Sequence, residues 1–566
     1  METIFKQRPF KIRNADEYNL SDILSLFVNP LEGLRSPLDF ENSIIKGRMG
    51  SGKTMFLRAN YAYYLFNIVP RLIEEAPLIL PVFIRLSDFQ HIDSPSEIYR
   101  QLIIKIVEEL SSVYLKLQDS KQMANIHHGM KKIPDDVFFD AKIKSTAKQL
   151  LKLGSEEYVE RLSNEFGFDG KSKYSFFELS ANYKKSQVIE LKKKQNPGIG
   201  DVVAIYDLLL RDSNGKILLL IDEAGSLDKN FFKSTENDSF FEIFMNQLRT
   251  ADFIRTKIAV YPNSYSDILT ETRYGDAVAL EEEIKNVASY KKFRAKVEAI
   301  IFNYLNIETS NNHEPYINPE DVFDINKTGM GDAIEQIING SGGNYRRLIQ
   351  LLDLSMNESY IRAGGKGKVT IEDAIQALNS HCGNLLTSFN QIEIEFIQNI
   401  AKACKNRSTY RFKYPNNSQA LYKYMTKSQE FNILNVIEAG SGQRGTTYSF
   451  DYSFCVHQEI TTHLISGTEK IDKDRSFLTG DWVTRNVTIN TEMIKQSEVI
   501  GKIEGEVEFI KEDKGLIKSL SDSRYFFSRE YIIQSDRNKS LYIGKKVIFY
   551  PSKLGDSLLA TEIEII

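Results

Sequence analysis

The segment Gly47-Arg-Met-Gly-Ser-Gly-Lys-Thr54 constrains this chain more than any other. It matches the spacing G-x-x-x-x-G-K-[ST] and has the flanks that spacing requires. Residues 43–48, SIIKGR, read as a short buried strand entering the turn, and MFLRANYAYYLF follows with helical spacing. Glycines let the backbone wrap a phosphate and turn its N–H groups inward. The helix that follows adds the positive end of its dipole. Gly47, Gly50, Ser51, Gly52, Lys53 and Thr54 are therefore the candidates for holding a nucleotide. Lys53 would reach the β- and γ-phosphates, and Thr54 would ligate Mg²⁺.

A second segment, Ile217-Leu-Leu-Leu-Ile-Asp-Glu223, is an apolar strand ending in two carboxylates. Asp222 is placed to bind Mg²⁺ through water, and Glu223 to orient or deprotonate an attacking water. The two segments together predict ATP and Mg²⁺ as cofactors, and the adjacent carboxylates favour hydrolysis over passive binding.

The rest of the chain sets these segments in an α/β architecture. At 566 residues it is long enough for three or four domains and needs no disulfide or metal staple. Its 72 basic and 76 acidic residues give a net charge of -4, which excludes a globally basic nucleic-acid coat. Three cysteines, Cys382, Cys404 and Cys455, do not make a disulfide framework and fit a reducing cytoplasm. No Cys/His spacing is that of a zinc site; Cys455, His457 and His463 come nearest. The start METIFKQRPFKIRN has no apolar core, so no signal peptide is expected. The longest apolar stretch, about Ala76 to Ile84, contains Pro77 and Pro81 and is too short to span a membrane.

Strands are expected at LILPVFIRLSDF, KILLLIDEAG, TKIAVYPNS and DAVALEEE, with helices VVAIYDLLLRD and FFEIFMNQLRT on either side of KILLLIDEAG. The helix SPSEIYRQLIIKIVEEL has Ser94 or Ser96 as its cap. Short apolar strands alternating with helices predict a parallel sheet covered on both faces. The expected organisation is an ATPase core over 1–286, with a helical insertion at about 118–200, and a helical lid over 287–385. A helix, helix, strand, turn, strand unit follows over 386–465, then a polar connector at 466–500 and a β-rich unit at 501–566.

On strand order and on the helical segment after the core, the chain resembles the AAA+ superfamily and, within it, the initiator clade of origin-recognition proteins. The resemblance covers roughly residues 20–380 and leaves the insertion unexplained. It implies three further roles. Asn263, just past KIAVYP, would be the sensor 1 residue. Arg273 would be an arginine finger acting on a neighbouring subunit, which implies a homo-oligomer. Gly343-Asn-Tyr-Arg-Arg347 resembles a sensor 2 signature, with Arg346 near the γ-phosphate and Arg347 able to replace it.

Residues 386–465 resemble a winged helix, with SQALYKYM as the recognition helix and a wing turning at Gly440 to Gly445. Over 401–428 it carries Lys402, Lys405, Arg407, Arg411, Lys413, Lys423 and Lys427 with no acid, interleaved with Tyr410, Tyr414, Tyr422 and Tyr424. Such a run neutralises phosphates, with Arg444 of the wing beside it, and favours DNA over RNA. The alternative is a protein-interaction module with a solvated basic face.

Residues 501–566 resemble a cold-shock-type OB barrel, through GEVEFIKEDKG, LIK, RYFF and IGKKVIFYP. Phe509, Tyr525, Phe526 and Phe527 are candidate stacking residues, Phe509 and Phe526 foremost, and half of the four are expected to face the barrel core. This copy has lost the aromatics of the GLIKS run and carries equal numbers of acids and bases, which suits an assembly or docking role as well.

The function expected first is an ATP-hydrolysing AAA+ switch, cytoplasmic and without a membrane partner. It would assemble in an ATP-dependent way and bind nucleic acid through its downstream modules. The alternative is an antiphage-defence or signalling ATPase that regulates a separate effector chain such as a nuclease. A structural protein with a vestigial site is a third possibility, against which the complete Lys53, Thr54, Asp222 and Glu223 set argues.

Overall fold

The computed structural model describes residues 2–31, 35–73, 76–111, 198–211, 214–224, 227, 229–232, 239–261, 275–280, 282, 284, 287–307, 316–326, 331–407, 409–414, 421, 424, 432–438, 445–460, 486–489, 502–511, 513–520, 522–533, 536, 539–554 and 557–566. The insertion expected at about 118–200 therefore lies outside the described residues up to 197.

Five strands form one parallel sheet: β1 (Ser43–Lys46), β2 (Ile79–Arg85), β3 (Lys216–Asp222), β4 (Ile254–Val260) and β5 (Asp276–Ala279). Their order is β2-β3-β4-β1-β5. Successive side chains of a strand point to opposite faces, so an unbroken apolar run needs cover on both. The run Ile217–Ile221 has that cover: Ile217, Leu219 and Ile221 join one apolar cluster, and Leu218 and Leu220 another. Ile44 and Ile45 of β1 divide in the same way. Pro81 has no N–H to give to a ladder, and β2 is an edge strand, where that costs least.

The preceding N-terminal segment carries α1 (Glu2–Gln7) and α2 (Leu20–Leu26). Around the sheet lie α3 (Lys53–Phe66), α4 (Ile68–Ile73), α5 (Pro95–Ser111), α6 (Ile199–Leu209), α7 (Lys229–Phe232) and α8 (Phe240–Thr250). Helices α5, α6, α7 and α8 place Ile98, Leu102, Val202, Phe231 and Phe244 on one face. The other face is closed by α3 through Phe56, Leu57 and Tyr64, with Leu31 and Phe40 packed beside them. Helix α8 begins in a capping box: the Ser239 side chain accepts from the Glu242 N–H at 3.2 Å, and Glu242 accepts from the Ser239 N–H at 3.1 Å.

The lid contains α9 (Val287–Leu305), α10 (Pro319–Val322), α11 (Ala333–Ser341), α12 (Tyr345–Ala363) and α13 (Ile371–Leu386). Its core includes Phe293, Val297, Ile337, Leu348 and Leu352, and the N-terminal segment adds Phe5, Phe10 and Leu26. Because Ile23 of α2 packs in the core cluster, this segment ties lid to core. Arg8 strengthens the tie with two hydrogen bonds to Asp353, at 3.2 and 2.7 Å.

Beyond the lid come α14 (Gln391–Lys405), β6 (Arg411–Tyr414), β7 (Leu434–Glu438), β8 (Thr446–Phe450), α15 (Tyr452–His457) and β9 (Asn486–Thr488). Strands β7, β8 and β6 are antiparallel neighbours in that order, and β9 pairs parallel with β6. Three residues of the expected polar connector thus belong to this third module. The chain ends in a closed barrel of β10 (Ile503–Lys511), β11 (Lys514–Ser519), β12 (Arg524–Ser528), β13 (Lys546–Leu554) and β14 (Ser557–Ile565), ordered β10-β11-β12-β14-β13 and closed by the β10–β13 pairing. Val507, Ile517, Tyr525, Phe527 and Phe549 fill it. Among the described residues no helix is long and apolar enough to cross a membrane.

One buried ion pair anchors the lid. Arg294 of α9 donates to both carboxylate oxygens of Asp332 at 3.0 and 2.7 Å, and Asp332 caps α11 by accepting from the Glu335 N–H at 2.9 Å. Burial pushes the Asp332 carboxyl up, but the Arg294 bonds and two backbone N–H groups outweigh it and hold the carboxyl below its usual range. Arg294 also donates to Glu298 at 2.8 Å and to the Tyr290 hydroxyl at 3.1 Å, so loss of Asp332 removes only part of its partners, together with the cap of α11. Asp332→Ala is expected to destabilise the protein by about 1–3 kcal/mol in urea unfolding. A depressed carboxyl stabilises above its unfolded pKa and loses that contribution as pH falls through the folded value. The wild-type advantage over Asp332→Ala should therefore be full near pH 7 and shrink below about pH 4.

Candidate nucleotide site

Between β1 and α3 the chain makes the turn that its glycines permit. Gly50 and Gly52 have φ of +80° and +89°, a region that strains any residue with a Cβ. At Gly50 a Cβ would also fall 2.5 Å from Asn344 Oδ1 of the lid. Lys53 is buried, and its ammonium donates to the carbonyls of Gly47 and Arg48 at 2.6 and 2.7 Å. The Ser51 hydroxyl is buried with no hydrogen-bond partner among the described residues.

Asp222 ends β3 at only 2% exposure. Its carboxylate accepts from the Glu223 N–H at 2.8 Å and lies beside the Thr54 hydroxyl. Burial raises its pKa, and these two neighbours oppose the rise only in part. The two residues expected to serve Mg²⁺ thus sit side by side, one on α3 and the other at the end of β3. A hydroxyl beside a buried carboxylate is an oxygen donor set that fits a hard divalent cation. Glu223 has φ +59°, rare for a non-glycine residue, and such outliers gather at functional sites.

The lid closes the site from above. Asn344 caps α12 by accepting from the Arg347 N–H at 3.0 Å, and its amide donates to the Met49 carbonyl at 2.7 Å. The Arg346 N–H donates to the Gly50 carbonyl at 3.1 Å. Just before this turn, Gly343 has φ +77°, and a Cβ there would lie 2.0 Å from the Glu282 carbonyl oxygen. Tyr345, Arg346 and the residues of the turn between β1 and α3 line one cleft open to solvent. Its apolar end is formed by Leu26, Phe27, Val28, Ile300 and Ile349. Arg347 points the other way and pairs with Asp451 of the third module at 2.5 Å, both side chains 6% exposed. The two arginines left as alternatives by the sequence are therefore separated: Arg346 lines the cleft and Arg347 does not.

Gly50, Ser51, Gly52, Lys53, Thr54 and Arg346 line this cleft, while Gly47 contributes its carbonyl to Lys53. Asn263 and Arg273 lie outside the described residues. Sequence reading missed Arg13, Tyr261, Tyr345 and the Leu26–Val28 stretch as cleft residues. The N-terminal segment has apolar residues without sustained periodicity, so nothing in it signalled a cleft wall; Tyr261 and Tyr345 stood beside residues that were singled out.

The nucleic-acid candidates divide. Lys405 and Arg407 are exposed at the end of α14, and Lys405 pairs with Glu459 at 2.7 Å. Arg411 and Lys413 are half-buried on β6, whereas Lys423, Lys427 and Arg444 lie outside the described residues. The expectation that the interleaved tyrosines contact a ligand fails for two of them. Tyr414 and Tyr424 are 5% and 1% exposed, and Tyr424 stacks between Phe389 and Phe396 with its hydroxyl donating to the Glu393 carbonyl at 2.6 Å. Their rings close an apolar core that a local charge count does not reveal. On the barrel, alternation holds: Tyr525 and Phe527 face inward, and Phe509 and Phe526 are 50% and 37% exposed. Cross-strand register aligns Phe509, Leu516, Phe526 and Leu559 in one row.

No protein-family model matches the chain, and no curated protein matches it in sequence. Among solved structures it is similar to the Aeropyrum pernix Orc1 protein in complex with DNA, at 11% identity over 78% of this chain and 90% of that one, with a TM-score of 0.28. It is also similar to Cdc6p from Pyrobaculum aerophilum, at 13% identity, 74% and 88% coverage and a TM-score of 0.26. For the Drosophila ORC bound to DNA the values are 10%, 78%, 92% and 0.28. Likeness at this level assigns no role to any residue of this chain.

Asp222 gives a test that separates site from scaffold. A raised carboxyl pKa means that the charged form is disfavoured by folding, so stability falls as pH rises through the folded value. Asp222→Asn is expected to raise the thermal midpoint of the nucleotide-free protein at pH 7, by about 2–4 °C per kcal/mol relieved. The same variant should lose the further rise that Mg²⁺ and ATP bring to the wild type. Differential scanning fluorimetry with and without both ligands reads the two effects together.

Proposed function

We propose that the chain is an ATP-hydrolysing AAA+ switch whose downstream modules bind nucleic acid. One observation carries this reading: the Thr54 side chain, which lines the cleft that the first turn of α12 closes over the phosphate loop, lies beside the buried Asp222 carboxylate. Lys53 grips the β- and γ-phosphates, the loop N–H groups wrap them, and Arg346 approaches from the lid. Thr54 and Asp222 would hold Mg²⁺, which neutralises developing charge on the phosphates when bound. Glu223, on its strained turn, orients or deprotonates the attacking water. Asn263 is the proposed sensor 1 residue, and Arg273 completes the site of a neighbouring copy, so that ATP favours assembly.

The strand order of the sheet and the helical lid support the AAA+ assignment and the resemblance to origin-recognition initiators. The β7-β8-β6 antiparallel order, with helices packed on it, supports reading the third module as a winged helix. Lys405, Arg407, Arg411 and Lys413 would meet phosphates there, with Lys423, Lys427 and Arg444, and DNA is preferred to RNA. On the barrel, Phe509 and Phe526 would stack single-stranded bases beside Lys518 and Arg524. Both of those cations are already paired, with Asp522 at 2.7 Å and Glu508 at 2.6 Å, so a phosphate must compete for them.

ATP turnover measured with single- and double-stranded DNA and RNA tests the reading. Stimulation by one of them is expected, and Glu223→Gln should lower turnover at least about 100-fold while ATP still binds. Turnover indifferent to every nucleic acid sinks the switch as proposed and moves the function to a signalling ATPase acting on a separate effector chain. For the barrel, Phe526→Ala should weaken single-strand affinity about tenfold in fluorescence anisotropy and leave duplex affinity unchanged.

A further inference from the structure

Besides the two carbonyls, Lys53 meets an aromatic ring. Its Nζ lies 4.0 Å from the centroid of the Tyr261 ring. Tyr261 is the first residue after β4, and it lines the same cleft as the phosphate loop. The Gly47 and Arg48 carbonyls each take an N–H of the ammonium. An aromatic face attracts the charge through its quadrupole and does not require an N–H to point in one fixed direction. Lys53 can therefore exchange a carbonyl for a phosphate oxygen while its ammonium stays against the ring. The contact is strengthened by burial, since Lys53 is 6% exposed.

We propose that Tyr261 is a positioning residue for Lys53, its ring face holding the ammonium where a triphosphate is gripped. The inference rests on the nucleotide reading of the cleft and adds to it a residue that the G-x-x-x-x-G-K-[ST] spacing does not contain. The end of β4 thereby reaches the phosphate loop directly through a side chain.

Binding of ATP with Mg²⁺ to the full chain, measured by isothermal titration calorimetry, tests this with a series at one position. Tyr261→Leu should weaken ATP about tenfold. Tyr261→Phe and Tyr261→Trp, which keep a ring face, should restore affinity to within about twofold of the wild type. Tyr261→Met, also without a ring, serves where the leucine variant unfolds, and thermal unfolding without nucleotide separates folding from binding. Wild-type affinity in both Leu and Met variants overturns the proposal. So does equal weakening by Phe and Leu, which would assign the effect to the hydroxyl. A wild-type chain that binds no ATP overturns the nucleotide site itself, a result distinct from either of these.

Discussion

Everything around the cleft depends on the first turn of α12. Within four consecutive residues it makes contacts in opposite directions. Asn344 and the Arg346 N–H bond the Met49 and Gly50 carbonyls of the phosphate loop, and Arg347 bonds Asp451. A helix turns by about 100° per residue, so neighbouring side chains must leave on different sides. Arg346 can thus face the cleft only while Arg347 faces the third module. Asp451 in turn caps α15 by accepting from the Ser453 N–H at 3.0 Å. Phosphate loop, lid and third module are consequently joined through a single helical turn.

Buried charge marks the same path. Lys53, Asp222, Arg347 and Asp451 are all below 7% exposure. Burying a charge is costly unless it is paired and hydrogen-bonded. Arg347 is paired with Asp451, and Arg294 with Asp332 deeper in the lid. Asp222 differs, because its neighbours are a hydroxyl and an N–H rather than a cation, and its carboxyl is pushed up. A buried carboxylate held by a backbone N–H and a nearby hydroxyl costs the fold stability.

The two downstream units use aromatic residues in two ways. Tyr414, Tyr424, Phe412 and Phe450 are consumed by the core of the third module. The barrel keeps Tyr525 and Phe527 inside and turns Phe509 and Phe526 out. Tyr550, from β13, packs against the third module, so the barrel docks through a different strand from those carrying the exposed row. Charges near that row are locally balanced, since Glu508 holds Arg524 and Asp522 holds Lys518. Exposed pairs of this kind contribute little to stability and yield readily to a competing anion.

The sequence by itself determined the features that depend on neighbours along the chain. The turn at Gly47–Thr54 was legible because left-handed backbone needs glycine at fixed offsets. The parallel sheet was legible in Ile217–Ile221, since five apolar residues in a row have no solvent face to offer. Alternation on β12 was legible for the same reason of period. Only the tertiary structure decided what depends on residues far apart. It separated Arg346 from Arg347, brought Thr54 to Asp222, set Tyr261 against Lys53, and made the segment before residue 31 a wall of the cleft. It also withdrew Tyr414 and Tyr424 from solvent. Composition and spacing report what a residue can do, whereas burial is set by elements tens or hundreds of positions away, and no local pattern encodes which of them arrive.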